Sequence, residues 1–388
     1  MIDDKNQKIP LWRDNRFWRI ALQVLVIIIF VVAVSIMISN LSRNLAQQGT
    51  KLGFSFLDNE AGFSISESLI PYQANDSYTK VLLAGLINSL RVMILGIFFT
   101  TIVGIVAGIA SFSENWLLRN LNRVYVEVVR NTPLLLQLFF WYFAVFFNLP
   151  RPQEKLELPG PIFMSKRGIA IPWPENTINV WLWLIVLFLG AVIILFVWQW
   201  RNKLMTETGV NGQPQLIAII SIVIIELLII IFALGWQAPM ATETGSTEGG
   251  LNLTLELSAL LVGLVFYTGA FISEIVRSGI QAVPKEQWEA AKSLGLKSDL
   301  VMRFVIFPQA LRVIIPPLNS QYMNLAKNSS LAIAIGYPDL YAVANTTYNQ
   351  TGRPVEVFIL IMAIYLSINL IISVSMNFLN KSVQLKER

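Results

Sequence analysis

Apolar residues gather along this chain into eight stretches close to the length a helix needs to cross a bilayer core, about 20 residues. They cover 20–38, 81–110, 124–147, 180–200, 216–235, 255–271, 311–335 and 357–379. The polar segments between them at 41–80, 148–179 and 236–254 are rich in Gly, Pro, Ser and acidic residues, which reads as turns and surface caps. The pattern predicts an all-α integral membrane protein of about eight transmembrane helices. The first stretch is too long for the apolar part of a signal peptide, and Ser39-Asn40-Leu41-Ser42 after it lacks a small-x-small cleavage pattern. It reads as an uncleaved anchor at 20–38.

Composition sharpens this. Of the 388 residues, 55% are hydrophobic and 14% are charged, where a soluble domain carries about 25% charged residues. With no cysteine and no histidine, the chain cannot use a thiol nucleophile, a disulfide, a Cys/His zinc site or an imidazole base. Basic residues set the sidedness, because translocated loops are poor in them. An N-terminus on the cytoplasmic side places eighteen Lys and Arg inside and eight outside. The inner ones include Lys5, Lys8, Arg13, Lys285, Lys292, Lys297, Lys381, Lys386 and Arg388. Both termini, 1–19 and 380–388, are then cytoplasmic. Trp173, Trp181, Trp183, Trp198, Trp200 and Trp236 fall near stretch ends, where the amphipathic ring anchors at the headgroups.

The longest inner segment, about 274–310, is the most charged. Pro284 suits a first helical position, Glu286 and Glu289 the early turns, Lys292 the last turn, and Gly295 the left-handed residue beyond it. This predicts a helix over 284–294, with Trp288, Ala290, Ala291 and Leu294 as one compact apolar surface. A second helix should begin after Ser298, with Asp299 in its first turn, and stop near Pro308.

Glu289-Ala290-Ala291, three residues, Gly295, nine residues, then Val305-Ile306-Phe307-Pro308 resembles the cytoplasmic signature of type I ABC-importer permeases. Val305 and Phe307 depart from the usual Ile and Leu. Arg130-Asn131-Thr132-Pro133-Leu134-Leu135-Leu136-Gln137 and the run Glu274 to Pro284 are similar to the polar amino-acid uptake branch. Ala61 to Ile65 and Ser68 to Tyr72 look like the larger, eight-span subunits of general L-amino-acid systems. The resemblance implies a type I transmembrane domain over 81–379. Its five-helix core would be joined by the N-terminal span and interrupted by an inserted loop and helix pair at about 148–254. It also implies a coupling helix, formed by Pro284, Gln287, Trp288, Glu289, Ala290, Ala291, Leu294 and Gly295, seated on a separate ATPase dimer that binds ATP and Mg²⁺. A second permease copy or related subunit, an extracytoplasmic amino-acid-binding protein and a bacterial inner membrane complete the expected setting; nucleic acid has no part in it. The chain itself has no Gly-x4-Gly-Lys-Ser/Thr phosphate loop.

Charged groups inside the stretches cost at least about 2.5–3.5 kcal/mol and need partners or water. Asn324, Lys327, Asn328 and Ser329 form a polar interruption after Pro316-Pro317, and they are expected to border a substrate pathway. Asn131 and Gln137, beside a kink expected at Pro133, are further pathway candidates. Arg130 lies three residues from Glu127, which suggests an intrahelical pair. Glu226, in an inserted span, is expected to be protonated or hydrogen-bonded to a neighbouring helix. Arg91 is open to a substrate, a partner subunit or the outer interface. Gly96, Gly104 and Gly108 suit close helix packing.

Two functions fit these features. One is the permease of an ATP-driven L-amino-acid importer working by alternating access. The other is an ion-coupled carrier or channel acting without an ATPase. An enzyme lacks a paired acid and base, and a scaffold leaves the polar stretch around Lys327 unexplained.

Overall fold

The computed structural model describes residues 15–47, 53–175, 177–241 and 247–383. The expected terminal segments 1–19 and 380–388 fall largely beyond these, so Lys5, Lys8, Arg13, Lys386 and Arg388 lie outside the described residues. Among those described, seven helices are long and apolar enough to cross a membrane, and one bent pair adds an eighth crossing if it counts as one span.

The long helices are α1 (Asn15–Gln47), α2 (Tyr78–Ala110), α5 (Ile178–Thr208), α6 (Gln213–Leu228), α7 (Leu255–Gln281), α10 (Phe307–Asn328) and α12 (Pro354–Val383). The bent pair is α3 (Trp116–Asn131) followed by α4 (Leu134–Phe139). Shorter helices are α8 (Lys285–Ser293), α9 (Ser298–Val301) and α11 (Leu340–Thr351).

The core centres on α7, whose faces are covered by α2, α3, α4 and α10. Glycine permits the tightest of these approaches. A Cβ on Gly108 would fall 2.6 Å from Val276, and Gly104 lies under Ile272. Gly96 meets Leu325 of α10. The packing expected of these three glycines is therefore present. By contrast α1, α5 and α6 expose their apolar residues almost all round, as helices do whose environment is lipid.

Three expectations are corrected. The stretch 124–147 is not one kinked span: α3 and the helical run through Asn148 meet at 112°. Proline at 133 denies the backbone its next donor and pushes Thr132 into an extended conformation, which ends α3 outright. The helix after Ser298 does not stop at Pro308. It passes through a π-helical turn, Met302–Ile306, and Pro308 sits just beyond that turn at the start of α10, where the change of hydrogen-bond register accommodates its missing N–H. Nor does the polar interruption at 324–330 break the helix. α10 runs through Pro316 and Pro317 to Asn328 and tightens into a 3₁₀ segment, Ser329–Ile335, that ends at Gly336 with φ +78°.

The loops expected only to turn also build a sheet. Strands β1 (Leu156–Leu158), β2 (Ile162–Ser165), β3 (Gly168–Ile171) and β8 (Leu251–Leu253) lie antiparallel in that order, and Ile171 pairs with Leu251. Between β3 and β8 come β4 (Trp173–Pro174), paired with β5 (Trp236–Gln237), and β6 (Met240–Ala241), paired with β7 (Thr247–Glu248). Because β8 runs directly into α7, the sheet caps one end of the bundle and α8 marks the other.

Candidate functional site

At the far end of α7 the chain turns through Ala282 and Val283 into α8, with Pro284 as its N-cap. Its C-terminus closes with Leu294 N–H donating to the Ala290 carbonyl at 3.2 Å, Gly295 N–H to Lys292 at 2.9 Å and Leu296 N–H to Ala291 at 3.4 Å. Gly295 has φ +74°, so the left-handed position expected from the sequence is present. Ala291 is buried and Trp288 packs against the core cluster that includes Val283, Val301 and Ile306, while Gln309 Nε2 donates to Gln287 Oε1 at 3.3 Å. Glu286, Glu289, Ala290 and Leu294 point away, Leu294 being 80% exposed. The apolar surface expected of this helix is thus divided. Residues 288 and 291 share the inner face, and 290 and 294 share another, because a step of three or four positions keeps one side of a helix and a step of two crosses it.

Beside α7, toward the same end, a cleft of about 670 Å³ opens between α2, α3 and α7. Its charged lining is Arg119, Arg123, Glu127, Arg130, Glu274 and Arg277. Arg277 grips Glu274 twice, Nη2 to Oε1 at 2.5 Å and Nε to Oε2 at 3.1 Å, and gives Nη1 to Gln281 at 3.1 Å. Arg130 stands 3.8 Å from the same carboxylate and lies over the Phe271 ring at 5.3 Å. The expected Glu127–Arg130 pair does not form. Glu127 accepts instead from Arg123 Nε at 3.0 Å, four positions away on the same helix, and Arg130 turns toward α7.

The break below Arg130 is fixed by side chains. Gln137 is buried, and its Nε2 donates to the carbonyls of Val129 at 2.8 Å and Thr132 at 2.9 Å. Asn131 Nδ2 donates to the Glu127 carbonyl at 2.7 Å while lining the cleft. Tyr125 hydroxyl pins α3 to α7 through the Phe266 carbonyl at 2.7 Å. Gln137 therefore holds the angle between two helices, and Asn131 alone of the two reaches the cleft.

The other expected pathway residues lie elsewhere. Asn324 and Lys327 are exposed on α10 and do not line the cleft; Ser329 is buried, with its hydroxyl on the Ala326 carbonyl at 2.8 Å. Asn328 is half-buried. Arg91 pairs with Glu67 of the preceding loop, and Thr254 hydroxyl donates to the other Glu67 oxygen at 2.6 Å. Glu226, expected to be protonated or hydrogen-bonded to a neighbouring helix, lies against Gly190 of α5, where its Oε1 has no hydrogen-bond partner among the described residues.

Residues 214–385 match the family described as binding-protein-dependent transport system inner membrane component. A putative amino-acid ABC transporter permease protein of Escherichia coli K12, YhdX, is 43% identical over 370 residues, covering 94% of this chain and 94% of that one. The general L-amino acid transport system permease protein AapQ of Rhizobium johnstonii is 43% identical over 381 residues, covering 97% and 94%. The chain belongs to the amino-acid ABC transporter permeases. A crystal structure of an amino acid ABC transporter with histidines aligns at 22% identity and TM-score 0.47, over 79% of this chain and 95% of that one. As a permease of this family the chain is a multi-pass inner-membrane subunit and is not itself catalytic. Its partners are an ATPase and a substrate-binding protein.

The cleft arginines Arg119 and Arg277 and the carboxylate of Glu67 are functional candidates that sequence pattern alone does not single out. Arg277 sits within the run Glu274 to Pro284 and Arg119 lies eleven residues before Arg130, so their charges were visible and their meeting was not. Glu67 carries no local signal of its role.

Proposed function

We propose that this permease passes L-amino acids through the membrane by alternating access, with the cleft between α2, α3 and α7 as the place where substrate is held. The observation that carries the reading is the cleft itself. It offers both signs of charge within one space, as an amino acid with an ammonium and a carboxylate requires.

α8 is the coupling helix. Glu286, Glu289, Ala290 and Leu294 meet an ATPase dimer, which supplies ATP and Mg²⁺, while Trp288 and Ala291 carry its movement into α10. The termini and α8 share the cytoplasmic side, and the sheet faces the binding protein. A second permease chain, identical or related, covers the α10 stripe of Ser320, Asn324 and Lys327. That stripe supports the arrangement because an exposed lysine and amide within a membrane-spanning segment are costly against lipid, and Lys327 makes no ion pair among the described residues.

Reconstitution tests the reading. Proteoliposomes holding this chain, its ATPase and a loaded binding protein should accumulate labelled amino acid only with ATP. Uptake by this chain alone, driven by an ion gradient, would overturn it.

A further inference from the structure

We infer that Arg130 makes the cleft selective for amino acids that carry a second carboxylate. The inference rests on the cleft being the substrate site.

A neutral amino acid brings one positive and one negative group, so it leaves the charge of its site unchanged. The cleft is not balanced. Four guanidinium groups face two carboxylates there. Glu127 is engaged by Arg123 at 3.0 Å and Glu274 by both arms of Arg277. Arg119 and Arg130 therefore remain without a carboxylate at hydrogen-bond distance, and the surplus repels cations and favours an anionic guest.

The two surplus arginines differ. Arg119 donates to the Ser113 carbonyl at 3.2 Å and stands eleven residues before Arg130, roughly 16 Å along α3. One small molecule cannot bridge them. Arg130 is the less committed group: among the described residues it makes no hydrogen bond, and its ion pair with Glu274 is a loose one at 3.8 Å. The guanidinium lies over the Phe271 ring at 5.3 Å, a contact that takes up none of its N–H donors in a hydrogen bond to an oxygen. A planar fork of that kind takes a carboxylate through two parallel bonds. Glu274, beside it and still held by Arg277, keeps a further lone pair on each oxygen for an ammonium. An aspartate- or glutamate-like substrate, with a net charge of −1, satisfies Arg130 with one carboxylate and still offsets part of the remaining surplus with the other.

The test is direct binding to the purified permease–ATPase complex in nanodiscs, with the binding protein omitted so that its own preference does not enter. Labelled glutamate and glutamine, which differ by one charged oxygen against one amide nitrogen, are the probes. Glutamate should bind the wild-type complex at least about tenfold more tightly, the effect of one hydrogen bond to a charged group. Arg130→Gln should bring the two affinities within about threefold of each other, mainly by weakening glutamate. Arg130→Lys, which keeps the charge without the fork, should retain a smaller preference for glutamate. Equal wild-type affinities overturn the inference, whatever the variants do, and so does an unchanged ratio in Arg130→Gln or failure of glutamate to bind. If the assembled wild type imports amino acids while glutamate and glutamine bind alike, charge selection falls alone; if it imports none, the transport reading falls with it.

Discussion

Glu67 and Arg91 form an ion pair that fastens the loop before α2 to α2 itself, with side chains 12% and 10% exposed. The same carboxylate accepts from Thr254 at the head of α7, and Asn88 Nδ2 donates to the Glu67 backbone carbonyl at 2.9 Å and to that of Pro338 at 2.9 Å. One loop residue thus joins three parts of the bundle at the sheet end. Glu67→Ala should lower stability by about 3–5 kcal/mol, because it strands a buried guanidinium. Replacing both partners by apolar residues should cost less than the sum of the single changes, which thermal denaturation of the two single variants and the double variant will check.

Gly295 joins α8 to α9 in a conformation other residues avoid. Open space surrounds the position a Cβ would take, so only its φ of +74° opposes substitution. Gly295→Ala should cost about 1–2 kcal/mol of local stability. Gly295→Pro also removes the N–H given to Lys292 and should abolish substrate-stimulated ATP hydrolysis in the assembled transporter, with membrane insertion preserved. Glu289→Lys should do the same by reversing charge on the exposed face. Normal stimulated turnover in both would refute the role given to α8.

Gln137 spans the break between α3 and α4 with two hydrogen bonds to carbonyls that have lost their helical partners. Gln137→Leu preserves its bulk and removes both. A loss of about 1–3 kcal/mol is expected, with uptake falling for every amino acid alike. A change confined to one substrate would instead mark Gln137 as a contact residue.

Asp339 lies in the turn between the 3₁₀ segment and α11, fully buried, where Oδ1 caps α11 by accepting from Ala342 N–H at 2.8 Å. Oδ2 has no hydrogen-bond partner among the described residues. Burial pushes its carboxyl up to about 7, against the backbone hydrogen bonds that oppose the shift. The folded protein therefore holds this proton more tightly than the unfolded chain does. Its contribution to stability is full in acid, below the usual carboxylate range, and is lost as pH rises through about 7. Melting temperature should fall across that window in the wild type and change less in Asp339→Asn, which keeps the cap. Parallel profiles would disprove the assignment.

Much of the bundle was legible because apolar runs of membrane length leave few alternatives. α8 was legible too: Pro284, the acidic first turns and Gly295 are local signals, and the helix they predict over 284–294 contains Lys285–Ser293. The features that escaped depend on partners distant in sequence. The angle after Thr132 exceeds the kink Pro133 suggests, since Gln137 can hold a sharp turn only once the chain has folded back. Arg130 prefers α7 to its own helix neighbour, a choice decided by tertiary packing. β8 pairs with a strand about 80 residues earlier, and its three residues are too few to show a period of two.

The register of that pairing has a practical corollary. Ile171 and Leu251 stand opposite each other, so the polypeptide leaves for α5 and returns from α6 at neighbouring points of one seam. Excision of everything from 172 to 250, with a tight hairpin turn in its place, would bring together ends that already adjoin. The helical arm is in that sense a cassette clipped onto the transporter, and shorter relatives can exist without redesign of the parts that move.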